Sequence, residues 1–144
     1  MDLFRALDVS ASGLSAQRTR MEVVTENLAN AESPVTTSGK VYRRRIPVLQ
    51  AVEGGPSFSS VLGGASNARG GVRVSQVVES PEAPRRVYQP GHPLAGPDGF
   101  LSLPNVNPLV EMVDMLMTTR AYEANATAFQ ATKSMGAKLL EILK

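Results

Sequence analysis

The sequence predicts an α+β fold: long N- and C-terminal helices packed as an elongated coiled-coil layer, with a small β-rich, loop-rich middle. Three observations carry this expectation. Apolar residues recur at helical spacing over residues 3–30 and again over 107–143. The stretch between is rich in Gly and Pro and holds only short alternating runs. Aromatic residues make up 5% of the chain and Trp is absent, so a core must come from Leu, Val, Ile, Met and Ala, which crowd toward the two ends. The implied organisation is a discontinuous helical domain, residues 1–40 and 104–144, around a middle domain, residues 41–103, with a flexible Gly-rich loop at 53–71.

In the first segment Leu7, Leu14, Met21 and Leu28 recur every seven residues, with Leu3, Phe4, Ala11 and Val24 on neighbouring turns. Arg5, Gln17, Arg20 and Glu26 are expected on the opposite, solvated face. Asp2 is placed to cap the N-terminus. Gly13 weakens the first half by about 1 kcal/mol relative to Ala, so this helix needs a partner. It ends near Asn30, because Ser33 precedes Pro34 and the residue before Pro avoids the α region.

The middle alternates. Tyr42, Ile46 and Val48 interleave with arginines, and Val72, Val74 and Val78 with polar residues, as in half-buried strands. Pro97-Asp98-Gly99 signals a tight turn before a short strand over Phe100–Leu103.

The closing helix begins at Asn107-Pro108, a capping residue followed by Pro at the first helical position. Its stripe runs through Val110, Val113, Met117, Ala121, Ala124, Ala128, Ala131, Met135 and Ile142. The four alanines favour close helix pairing. A second flank, Leu109, Met112, Leu116, Phe129, Leu139, Leu140 and Leu143, makes the apolar face wide enough for more than one neighbour. Met112, Met115, Met117 and Met135 are expected to be ordinary helix core. At about 1.5 Å per residue the helices span roughly 42 and 55 Å, a rod rather than a ball. Leu7, Leu14, Met21 and Leu28 with the closing stripe are therefore the candidate surfaces for association with other subunits.

Chemistry is harder to find. The formal charge is +2, and the excess lies in Arg43–Arg45 and Arg85–Arg86. Two short clusters are a poor nucleic-acid footprint, and these arginines are expected to line a solvated strand edge or to answer acids on a neighbour. The single histidine, His92, lies between two prolines and lacks co-ligands beyond carboxylates such as Asp98. Neither a Gly-x-Ser-x-Gly elbow nor a phosphate-binding Gly loop occurs. Glu111 and Asp114 share a helix face and are read as favouring its N-terminal end. No catalytic residue, cofactor or metal site is expected. The absence of Cys excludes disulfides and suits an oxidising compartment. The start, Met1-Asp2-Leu3-Phe4-Arg5, lacks a secretory signal, and no apolar run is long enough to span a bilayer.

Several motifs carry a resemblance. Asn27-Leu28-Ala29-Asn30-Ala31 looks like the signature of the bacterial flagellar axial proteins, the rod and hook group. The ordered set Tyr42–Arg45, Pro84–Pro93, Leu103–Met115 and Thr119–Met135 is similar to the basal-body rod members of that group. Residues 53–71 match none of its patterns. The resemblance implies a non-enzymatic subunit that polymerises into the proximal rod, the drive shaft carrying torque to the hook. It implies export through the flagellar type III apparatus without a cleaved signal peptide, assembly in the periplasm, and contacts with copies of itself and other rod proteins. It also implies that Asn27 and Asn30 cap the helix end or bond a neighbouring backbone, and that Tyr122 and Asn125 pack and hydrogen-bond in the opposing helix. The alternative is a soluble helical adaptor or chaperone using the same stripes.

Overall fold

A computed structural model describes residues 3–34, 40–52 and 70–142. Its order is α1 (Leu3–Asn30), β1 (Arg45–Ala51), β2 (Val72–Glu79), β3 (Arg85–Tyr88), β4 (Phe100–Leu103) and α2 (Pro108–Ile142). Two long helices and a small middle of short antiparallel strands make an α+β fold. The expected cap at Asp2, the apolar Leu143 and most of the Gly-rich loop lie outside the described residues.

The start of α2 follows from its sequence. Asn107 Oδ1 accepts a hydrogen bond from the Leu109 amide at 3.0 Å, and Pro108 occupies the first helical position. At the end of α1, Asn30 Nδ2 donates to the Glu26 carbonyl oxygen at 2.8 Å.

The helices run antiparallel. Leu3 faces Gly136, Gly13 faces Asn125, and Arg20 reaches Asp114 at 3.3 Å. Close approach comes from the two glycines. A Cβ at Gly13 would fall 3.0 Å from Asn125 Nδ2, and one at Gly136 would fall 2.7 Å from Leu3 Cδ2.

The inward face of α2 is not its apolar stripe. Glu111, Thr118 and Thr132 are buried, with Asn125 between them on the same seven-residue repeat. Val113, Met117 and Met135 are 51%, 60% and 55% exposed, and Ala124, Ala128 and Ala131 are exposed as well. The alanines therefore do not form the seam with α1, and Met112, Met117 and Met135 are not core. Turning Glu111 toward the arginines beside α1 rotates the apolar stripe outward. On α1 the buried positions are Gly13, Ala16, Val23, Val24 and Asn27. Leu7, Leu14, Met21 and Leu28 flank them and are half-buried. Arg20 is not on a solvated outer face; it is turned toward α2.

The middle is two separate antiparallel ribbons, β1–β2 and β3–β4. The first pairs Arg45 with Glu79 and Ala51 with Val72, with a register shift after Val48. Gly71 and Ser12 hold its far end to α1, through a 3.1 Å bond from the Val72 amide to Ser12 Oγ. The second ribbon pairs Arg85 with Leu103 and Tyr88 with Phe100. β3 is the strand that the periodicity reading missed, because Arg85-Arg86-Val87-Tyr88 lacks an apolar alternation. Where the ribbons meet the helices, Ala31, Tyr42 and Val106 form a small core.

Candidate assembly interface and the joint behind it

Two of the polar side chains the fold buries, Asn27 and Glu111, meet where the middle joins the helices. Glu111, in the first turn of α2, has no exposed surface. Its Oε1 accepts from Arg44 Nε at 2.6 Å, and its Oε2 accepts from Asn27 Nδ2 at 3.1 Å. Asp114, one turn on, lies 3.3 Å from Arg20 Nη2 and 3.6 Å from Arg44 Nη2. Two carboxylates on α2 thus neutralise one arginine from α1 and one from the approach to β1.

Asn27 is the hub. Its Nδ2 also donates to the Arg45 carbonyl oxygen at 2.8 Å. Its Oδ1 accepts from the Tyr42 hydroxyl and from the Arg45 amide, each at 2.8 Å. Two donors and two acceptor sites are all an Asn side chain has, and all are used. At 1% exposure, any partner missing here would leave a buried polar group unsatisfied. Burial, reinforced by the negative charge of Glu26, pushes the Tyr42 phenol up to about 12. Beside this buried centre, Arg45 Nη1 donates to both carboxylate oxygens of Glu26 at 2.7 and 2.9 Å, in a pair that stays partly solvated. Arg44 and Arg45, expected at a surface edge or against a neighbour, thus answer acids of their own chain. Arg86 likewise pairs with Asp98, which removes Asp98 as a companion for His92. His92 is a turn residue whose Nδ1 accepts from the Leu94 amide at 3.1 Å.

The candidate interface residues divide into three settings. Asn27 is inside the joint, bonded to neighbouring backbone, while Asn30 bonds within its own helix turn. Asn125 is half-buried against Gly13, and Ala121 is half-buried beside it, whereas Tyr122 is 36% exposed. Val110, Val113, Met117, Ala124, Ala128, Ala131, Met135 and Ile142 are exposed, a stripe running the length of α2. The register carries the last turns of α2 beyond Leu3, so that Leu139, Leu140 and Ile142 project past the first described residue of α1.

Sequence reading missed Tyr42, Arg44, Arg20, Glu111 and Asp114 as a unit. One signal was present: the polar line Glu111, Thr118, Asn125, Thr132 at seven-residue spacing in an otherwise apolar helix.

A family model described as "Flagella basal body rod protein" matches residues 7–34, and one described as "Flagellar basal body rod FlgEFG protein C-terminal" matches residues 98–142. Together they cover α2, β4 and all of α1 but its first residues. Over its full length the chain is 47% identical to flagellar basal-body rod protein FlgC of Bacillus subtilis strain 168, all of which it covers. It is 42% identical to FlgC of Aquifex aeolicus, covering 99% of it. Against FlgC of Salmonella typhimurium strain LT2 the identity is 37%, over 99% of this chain and 98% of the relative.

Proposed function

The chain belongs to the FlgC family of flagellar basal-body rod proteins and is a structural subunit of the rod, and from that premise we propose that the outer stripe of α2 is its main assembly surface. The observation that carries this reading is the inverted helix pair. The buried residues of α2 are polar, Glu111, Thr118 and Thr132, while Val110, Val113, Met117 and Met135 stand outside at 49–60% exposure. A contiguous apolar stripe left in water marks an interaction site. Each Å² covered contributes about 25 cal/mol, before the cost of ordering the partners. The half-buried Leu7, Leu14, Met21 and Leu28 border the helix pair and extend the same contact.

In this reading the subunit leaves the cytoplasm through the flagellar type III export apparatus, without a cleaved signal peptide. It polymerises in the periplasm with copies of itself and other rod proteins into the proximal rod, where it carries torque. Among the described residues no helix is long and apolar enough to cross a membrane. The protein performs no catalysis and binds no nucleic acid; the ion pairs already made by Arg44, Arg45 and Arg86 support the latter. The helices and the middle act as separate domains, 1–40 with 104–144 and 41–103, coupled through Asn27 and Glu111.

Replacing Val113 and Met117 together by Asp tests the interface. These positions are exposed, so the isolated variant keeps its stability to within about 0.5 kcal/mol per site. It is expected to be exported, to be missing from purified basal bodies, and to leave cells non-motile. Normal incorporation and swimming would remove the stripe from the interface.

A further inference from the structure

We propose that the Asn27 side chain stands in for a neighbouring strand on the outer edge of β1 and, with Pro47, closes that edge to other copies. Antiparallel strands alternate between residue pairs that exchange backbone hydrogen bonds and pairs whose N–H and C=O point away from the partner strand. The Ser80 amide donates to the Arg44 carbonyl oxygen at 2.7 Å, so Arg44 and Ser80 form an exchanging pair. The next pair, Arg45 with Glu79, therefore turns its backbone groups outward, and so does Pro47 with Val77. On Arg45 both outward groups are filled by one side chain. Its amide donates to Asn27 Oδ1 and its carbonyl oxygen accepts from Asn27 Nδ2, each at 2.8 Å. An added strand would bond these same two groups. Two residues on, Pro47 has no N–H to offer. That leaves Leu49 and Ala51 as the open outward positions of β1, too short a run to seat a strand firmly.

Other outward groups are met in the same way. At the far end of the ribbon the Val52 amide donates to the Gly71 carbonyl oxygen at 2.8 Å, which turns Val72 outward. The Val72 amide then donates to Ser12 Oγ. In the second ribbon the Gln89 amide donates to the Gly99 carbonyl oxygen at 2.9 Å, which turns Phe100 outward. Its carbonyl oxygen accepts from the Gly96 amide at 3.0 Å. β1 has particular need of such cover. Residues 45–52 read RIPVLQAV with Arg45 as the one charge, and Val48 and Leu49 are 36% and 41% exposed. Short apolar segments of this kind pair with copies of themselves wherever an edge is open. A chain with an exposed apolar stripe on α2 would then have a second, competing route to association.

Aggregation kinetics of the purified full chain test the role. Asn27→Ala uncovers the outward groups of Arg45 but also weakens the joint. Glu111→Ala weakens the same joint from its other side and leaves both bonds between Asn27 and Arg45 in place. The two are compared at urea concentrations that give equal folded fractions. Asn27→Ala is expected to form thioflavin-binding aggregates at least tenfold faster than Glu111→Ala. Equal rates would overturn the edge role and make Asn27 a structural tie only. If Asn27→Ala does not fold, Asn27→Ser, which keeps a hydroxyl at the site, is compared in the same way. Adding Pro47→Ala returns an N–H to the edge. It is expected to quicken aggregation of the Asn27 variant at least threefold without moving its unfolding midpoint. An unchanged rate would overturn β1 as the pairing edge.

Discussion

Arg44 and Glu111 meet at 2.6 Å although 67 residues separate them, and the Glu111 side chain has no exposed surface. This contact ties the root of the first β ribbon to the first turn of α2. Asn27 ties the same root to α1, through two backbone hydrogen bonds to Arg45. The root of the middle is thereby held to both helices, while Ser12 holds the far end of the first ribbon to α1 alone.

Removing the Glu111 carboxylate should be the most damaging single change in the joint. Breaking a fully buried pair costs roughly 3–5 kcal/mol. Arg44 keeps 27% of its side-chain surface and lies near Asp114, so about 2–3 kcal/mol is expected for Glu111→Ala. Glu111→Gln should lose less, because it preserves volume and can still accept from Asn27. Urea unfolding of the purified chain measures both, and equal losses would show that the charge matters and the volume does not.

Tyr42 gives the joint an alkaline limit. Its folded pKa lies near 12, above the ordinary value of 10.0, so the folded state holds the proton more tightly than the unfolded chain. The stability this contributes is complete below pH 10 and is lost as pH rises toward 12. Tyr42→Phe should remove that slope and cost about 1 kcal/mol at neutral pH, since Asn27 Oδ1 loses a donor. Unfolding curves between these pH values, with phenolate absorbance to follow the late-titrating tyrosine, test both effects.

The two seam glycines should respond differently to Ala. At Gly136 the new Cβ meets only the end of the Leu3 side chain, which can rotate away. The helix should then gain up to about 1 kcal/mol. At Gly13 the new methyl meets the Asn125 amide at three atoms between 3.0 and 3.2 Å. Asn125 is wedged between the helices, so Gly13→Ala should forfeit that gain. Thermal unfolding of the two variants decides, and a similar gain at both sites would mean that the helices do not meet at Gly13.

Glu26 and Arg45 offer the contrast. Their side chains are 41% and 43% exposed, and solvated pairs contribute at most about 1 kcal/mol. Glu26→Gln should cost less than this, and the loss should shrink with added salt. The Glu111→Ala loss should change little under the same salt titration. A salt-insensitive loss at Glu26 would show that this pair is effectively buried.

Much of the architecture was legible because its causes are local. The helix bounds at Leu3, Asn30 and Pro108 follow from apolar periodicity, the proline after Ser33 and the Asn107 cap. The valine alternation marks β1 and β2, and Pro97-Asp98-Gly99 marks the turn into β4. β3 was illegible because its strand character comes from pairing with β4, not from its own pattern. The two arginine clusters could be recognised as needing acids, but nothing local identifies Glu111, Asp114, Glu26 and Asp98 as those acids.

By itself the sequence determined where the helices lie, that each has an apolar face requiring cover, and to which family the chain belongs. Only the tertiary structure decided which face of α2 turns inward. Periodicity reports that a stripe will be covered, but not by what. That choice depends on Arg20, Arg44 and Asn27, brought to one end of α2 from 67 to 94 residues away. A buried carboxylate must be satisfied where it is desolvated, so Glu111 faces its donors and the apolar stripe of α2 is left facing outward.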